Sequence, residues 1–186
     1  RTRVAGAGDQ RGLTVTPSGL GVELHRVYSP GNRRGLVKLA GDLRAIEETT
    51  AVLGEMDEFF SLVGHGCGFN KAGGFGREFR VRNPELVENT LAEGLRKVRA
   101  CALEAAERDP KESAKLELED LARRMSEARE AIGAFLDQSA EGHGYWVEQN
   151  GPERASVALH APPLHVALLF PPLFFVPPVC VFLFRS

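Results

Sequence analysis

Residues 89–138 read NTLAEGLRKVRACALEAAERDPKESAKLELEDLARRMSEAREAIGAFLDQ, and the pattern in this stretch decides the fold. Leu91, Leu95, Val98, Ala102 and Ala105 recur at spacings of three and four, so they share one face of a helix from about Asn89 to Arg108. Leu118, Leu121, Met125, Ala128, Ile132 and Phe135 mark a second apolar face in the same way. Between them, Asp109-Pro110-Lys111-Glu112 reads as a capping box with proline at the first helical position. Two amphipathic helices joined by so short a turn form an antiparallel hairpin.

Upstream, Thr16-Pro17 reads as an N-cap followed by proline, and Leu20, Leu24 and Val27 give a short helix one apolar face, with Tyr28 beside it. Ser29-Pro30-Gly31-Asn32 ends that helix with turn residues. Residues 1–12 hold little that can pack and read as a loop or frayed end. Leu39, Leu43, Ile46, Thr50, Leu53, Asp57 and Phe60 step by four and three along a further helix, with Met56 and Phe59 flanking the stripe. Six glycines in residues 64–76 read as a loop, and Arg77–Arg82 then alternates like a half-exposed strand.

Downstream, Tyr145–Glu148 and Ala155–His160 read as two strands of a hairpin around the turn Gln149–Pro152. The chain carries no charge from Ala155 to Phe184. Three proline pairs (162–163, 171–172 and 177–178) break that segment into pieces far short of the ~20 residues a membrane helix needs. It reads as a buried strand, a short helix and another buried strand of an α/β core, with a membrane or aggregating tail as the alternative.

The whole chain has 186 residues, a size for one domain or one and a half, and its 43 % hydrophobic and 26 % charged content excludes wholesale disorder. A net charge of −2 excludes a globally basic nucleic-acid binder but not a local basic patch. The charge is blocky. Seven positive and two negative side chains lie in 1–38, then one positive and six negative in 39–62, then four positive and one negative in 63–83. Three scattered Cys form no disulfide framework and suit a reducing, intracellular compartment.

The chemistry of sites is sparse. The Gly-rich stretch 68–74 has its lysine misplaced for a P-loop and no hydroxyl after it. His65-x-Cys67 offers two metal ligands without a second pair, and Cys101 and Cys180 fall on apolar faces as small core residues. No arrangement points to a nucleophile, and His25 reads as a surface or boundary residue. The basic residues carry more. Arg33, Arg34 and Lys38 follow the first helix, and Lys71, Arg77, Arg80 and Arg82 line the Gly-rich loop and the strand after it. Phe79 is interleaved, and Phe69 and Phe75 precede it. Phosphate contact with base stacking uses such residues, and so does a solvated edge strand protected by charge.

Three stretches together resemble one family. Gly12-Leu13-Thr14-Val15-Thr16, the helix to Val27-Tyr28 and Ser29–Leu36 are similar to the segment that follows the DEAH box in DinG-type helicases, the XPD-like DNA helicases of superfamily two. Val81–Leu91 resembles that family's "R-x-P-x-x-V-E-N-x-L" approach to a helical hairpin. Tyr145–Glu148 and Val157–Val166, ending at Leu169-Phe170, resemble the "Y-W-V-E … L-x-A-A-P-I-D-V … L-F" run before its Ser-Ala-Thr motif.

The resemblance implies a mainly α fold with a small β part, in which a helical insertion of antiparallel helices is attached to a fragment of an α/β helicase motor domain. Residues 1–30 would end a segment of the first motor half, 31–141 would form the arch-like insertion, and 142–186 would return to the motor core. It implies a cytoplasmic, ATP-dependent DNA helicase (a hydrolase acting on ATP) in DNA repair, unwinding 5′ to 3′. This segment would guide single-stranded DNA beside the remainder of the motor and away from any membrane. Arg33, Arg34, Lys71, Arg77, Arg80 and Arg82 are the candidate DNA contacts. ATP and Mg²⁺ belong to the parent enzyme only. The family's Walker A lysine and DEAH carboxylates have no counterpart here, His165 stands where aspartate is usual, and Val181–Ser186 stands where Ser-Ala-Thr is expected. The expectation is therefore a fragment with no catalytic residue and a truncated or frameshifted end. The alternative from another class is a stand-alone helical protein-interaction module without enzymatic activity.

Overall fold

The computed structural model describes residues 12–39, 42–69, 77–109, 111–150 and 157–163. The elements run β1 (Leu13–Val15), α1 (Pro17–Val27), α2 (Leu36–Leu39), α3 (Leu43–Gly66), β2 (Arg77–Arg80), α4 (Leu91–Arg108), α5 (Glu112–Asp137), β3 (Trp146–Gln149) and β4 (Val157–Ala161). The fold is thus mainly helical with one small antiparallel sheet, as the sequence implies. No helix among the described residues is long and apolar enough to cross a membrane. The charge-free tail beyond Pro163 lies outside the described residues.

The hairpin of α4 and α5 forms, and Leu91, Leu95, Val98, Ala102, Ala105, Leu118, Leu121, Met125, Ile132 and Phe135 are all buried. Each larger apolar side chain among them contributes about 1.5–3 kcal/mol relative to exposure. The capping box is not realised. Asp109 is instead the C-cap of α4, and its Oδ1 accepts from the Lys111 amide at 2.8 Å. Such a bond across two residues makes a local turn and competes with capping. The helix α5 therefore begins at Glu112 with Lys111 at its N-cap. At its other end Gln138 adopts a left-handed φ of 50°. Tyr145 then fastens the exit from α5: its hydroxyl donates to the Ala140 carbonyl and accepts from the Ala140 amide, both at 3.0 Å.

The helix α1 follows its sequence signals. Thr16 Oγ1 accepts from the Gly19 amide at 3.0 Å, Pro17 opens the helix, and Leu20, Leu24 and Val27 are buried. Arg124 of α5 reaches Glu23 of α1 at 3.0 Å and Asp120 at 2.8 Å, joining the two helices on their outer side.

The third helix corrects the sequence reading. Its buried stripe is Ala45, Thr49, Val52, Met56, Phe59, Phe60 and Val63, rotated by about one position from the expected one. Leu43 is 74 % exposed, and Thr50 and Asp57 face solvent. The stripe was obscured because it includes a small residue and a hydroxyl. Thr49 Oγ1 satisfies itself by donating to the Ala45 carbonyl at 2.7 Å, which lets it be buried. The helix also runs past the expected loop start to Gly66. Gly94 of α4 lets α3 approach closely, since a Cβ there would lie 2.5 Å from Val52 Cγ2 and 2.7 Å from Glu55 Oε2.

The sheet order is β1-β4-β3-β2, antiparallel throughout. Val157, Leu159 and Ala161 of β4 and Val147 of β3 are buried, and α3 and α5 pack against this side. The strand β2 is an edge strand carrying Arg77, Glu78 and Arg80, which is how natural sheets protect an edge.

Asp42 caps α3, its Oδ1 accepting from the Ala45 amide at 3.0 Å. That bond, with the Arg108 guanidinium beside it, holds its carboxyl below the usual carboxylate range. A lowered folded-state value means that the stabilisation is fully present above the unfolded value, about 3.9, and is lost as pH falls through the folded one. The substitution Asp42→Ala is therefore expected to cost about 1 kcal/mol at neutral pH. In urea titrations the difference from the unaltered protein shrinks below about pH 4; a difference that widens in acid contradicts the assignment.

Candidate nucleic-acid interface

The turn after α1 is tightly built. The Ser29 amide donates to the Arg34 carbonyl at 2.6 Å, and the Arg34 and Arg33 amides donate to Ser29 and Pro30 carbonyls, each at 3.3 Å. Arg33 sits at φ 50°, uncommon for a residue with a side chain. Gly35 has φ 149°, and a Cβ there would lie 2.3 Å from the Val27 carbonyl oxygen. Only glycine fits that position, so it fixes how Arg33 and Arg34 are presented. His25, Arg26, Arg33, Arg34, Gly35, Leu36 and Glu117 line a cavity of about 780 Å³. His25, read from sequence as a surface or boundary residue, is exposed and is one of the lining residues.

The other candidates lie elsewhere. Arg77 and Arg80 are on β2, at the opposite edge of the sheet from β1. Strand alternation puts Arg77 on the face of Phe79 and Arg80 on the other. Arg82 is exposed just beyond the strand. Lys71, Phe75 and the side chain of Lys38 fall outside the described residues. Phe79 is 37 % exposed and pairs across from Val147, whereas Phe69 packs partly against the core. Arg33 and Arg34 thus share one turn after α1, whereas Arg77 and Arg80 belong to the edge strand β2.

One arrangement escaped the sequence reading. The register aligns Thr14, His160, Trp146 and Arg80 in one row across all four strands. His160 stacks on Trp146 with centroids 5.6 Å apart and planes at 26°. Its Nδ1 is 3.2 Å from Thr14 Oγ1, and its Nε2 is 3.1 Å from Glu148 Oε2. The Nε2 contact has ion-pair distance without hydrogen-bond alignment. These residues come from three distant stretches, so only the pairing of strands assembles them.

Metal and thiol chemistry find little here. Among the described residues, no group of three or more His, Cys, Asp or Glu is placed to hold a metal ion. His65 Nδ1 is 3.0 Å from the Ser61 carbonyl. Cys67 and Cys101 are buried free thiols; burial pushes Cys67 up to about 12 and raises Cys101, so neither is a thiolate nucleophile at neutral pH. Cys180 lies outside the described residues. In comparisons with known proteins, no family model, no curated protein and no solved structure matches the chain.

The role given to Gly35 is open to a direct check. The substitution Gly35→Ala is expected to destabilise the protein by about 1–3 kcal/mol, the cost of forcing a side chain into a glycine-only conformation. Urea denaturation measures it, and an Ala variant as stable as the original overturns the assignment.

Proposed function

We propose that this chain is a segment of an ATP-dependent DNA helicase of the DinG type, contributing the arch-like helical insertion and the strands at its base. One observation carries this reading. The chain leaves β1 at Val15, runs through its helices and through β2 and β3 of the same sheet, and ends beside β1 in β4, with Leu13 opposite Ala161 and Val15 opposite Leu159. The two stretches that flank an insertion must lie side by side, and β1, from residues 1–30, pairs with β4, from 142–186, while β2 of the 31–141 stretch joins the same sheet. The stretches that resemble the family also converge: Leu13–Val15 is β1, Trp146–Glu148 lies in β3, and Val157–Ala161 is β4. The run Val81–Leu91 leads into the first turn of α4.

In this reading the segment guides single-stranded DNA in a cytoplasmic repair enzyme. The basic side chains Arg33, Arg34, Lys71, Arg77, Arg80 and Arg82 meet its phosphates. ATP, Mg²⁺ and the chemistry of hydrolysis belong to the rest of the motor, since no residue here corresponds to its Walker A lysine or DEAH carboxylates. The partners are the DNA strand and the remaining motor domains.

The test is a salt titration of oligothymidylate binding by the whole chain. Six phosphate contacts at about 0.7 each give a log–log slope of about −4. The chain alone is expected to turn over no ATP. Absence of binding at low salt, or ATP hydrolysis by this chain alone, contradicts the proposal.

A further inference from the structure

The turn arginines share their cavity with residues that the DNA reading does not use. His25 and Arg26 come from the last turn of α1, Leu36 from α2 and Glu117 from α5. A volume of about 780 Å³ falls within the range of small-molecule sites, roughly 300–1,000 Å³. Three guanidinium groups against one carboxylate leave the lining at a net +2 with His25 neutral. Arginine forks match phosphate oxygens two at a time. Arg26 keeps one edge of its fork on Glu23, with Nη1 at 2.9 Å from Oε2. The backbone under Arg33 and Arg34 is already fixed by the Ser29–Arg34 pairing, which lowers the ordering cost of binding.

Glu117 selects among anions. A carboxylate in a basic cavity repels bare phosphate, but it accepts a hydrogen bond from a ligand that also carries a donor. A nucleotide supplies both an anionic phosphate and N–H or O–H groups on its base and sugar, and Leu36 gives its ring an apolar wall.

We infer that this cavity takes one nucleotide unit, its phosphate on Arg26, Arg33 and Arg34 and a donor of its base or sugar on Glu117, with His25 in the lining beside them. The inference rests on the single-stranded DNA reading and says where the strand is gripped. The same chemistry could come from a free mononucleotide, and the test separates the two sources.

The whole chain is titrated calorimetrically with deoxycytidine monophosphate, deoxycytidine and inorganic phosphate, and in parallel with a short oligodeoxycytidylate. The monophosphate is expected to saturate one site and to bind more tightly than either the nucleoside or inorganic phosphate. Arg34→Ala weakens it roughly tenfold, the loss of one charge-assisted contact. Arg34→Lys, which keeps the charge but not the fork, falls between, and Arg99→Ala, an exposed change on α4, leaves it unaltered. Oligonucleotide affinity falls in step with Arg34→Ala, and its salt slope shrinks by about 0.7. If the monophosphate does not bind, or binds folded Arg26→Ala and Arg34→Ala as well as the original, the cavity assignment is overturned even where the oligonucleotide still binds. If the monophosphate binds with this arginine dependence and the oligonucleotide does not, the cavity assignment stands for a free nucleotide and the helicase-segment reading fails.

Discussion

The register of β4 between β1 and β3 is the constraint on which the rest of the structure depends. In that register Val157, Leu159 and Ala161 are buried on the side of α3 and α5, and His160 lies on the other face. A slip of one residue would turn all three apolar side chains outward and drive His160 into the core. Gly64 near the end of α3 lies close under this strand, where a Cβ would meet Val157 Cγ2 at 3.6 Å.

From that base the helices follow as two excursions, α1–α3 between β1 and β2 and α4–α5 between β2 and β3. The chain enters through β1 and α1, whose end carries the Arg33–Arg34 turn, and crosses to β2 through α3. The α4–α5 hairpin then brings it to Tyr145, which packs edge-on against Phe135 at 5.8 Å before β3 begins. The basic residues are thus divided between the turn after α1, with its cavity, and the edge strand β2. The stacked Trp146–His160 pair lies in the same cross-strand row as Arg80.

Local signals were legible in the sequence, and non-local ones were not. The cap and proline at 16–17, the two faces of the hairpin and the β3–β4 pairing all depend on neighbours within a few residues. The stripe of α3 differs from the expected one because it opens on a small residue, Ala45, and a hydroxyl, Thr49, while the large apolar Leu43 lies off it, 74 % exposed. The capping box at Asp109 lost to a tighter turn made by the same carboxylate. The candidate arginines were visible as basic clusters. That Arg77 and Arg80 stand on an edge strand was not, because it follows from the β2–β3 pairing between residues far apart in the chain. The cavity was missed for a related reason: His25 and Arg26 belong to a helix end, and Glu117 comes from ninety residues further on.

The most direct test of the account is hydrogen–deuterium exchange of the whole chain with and without a saturating single-stranded oligonucleotide. The account expects slower exchange on binding in the turn 29–36 and along 77–82, with the solvent face of the α4–α5 hairpin unchanged. Protection confined to that hairpin, or no change anywhere, would contradict it.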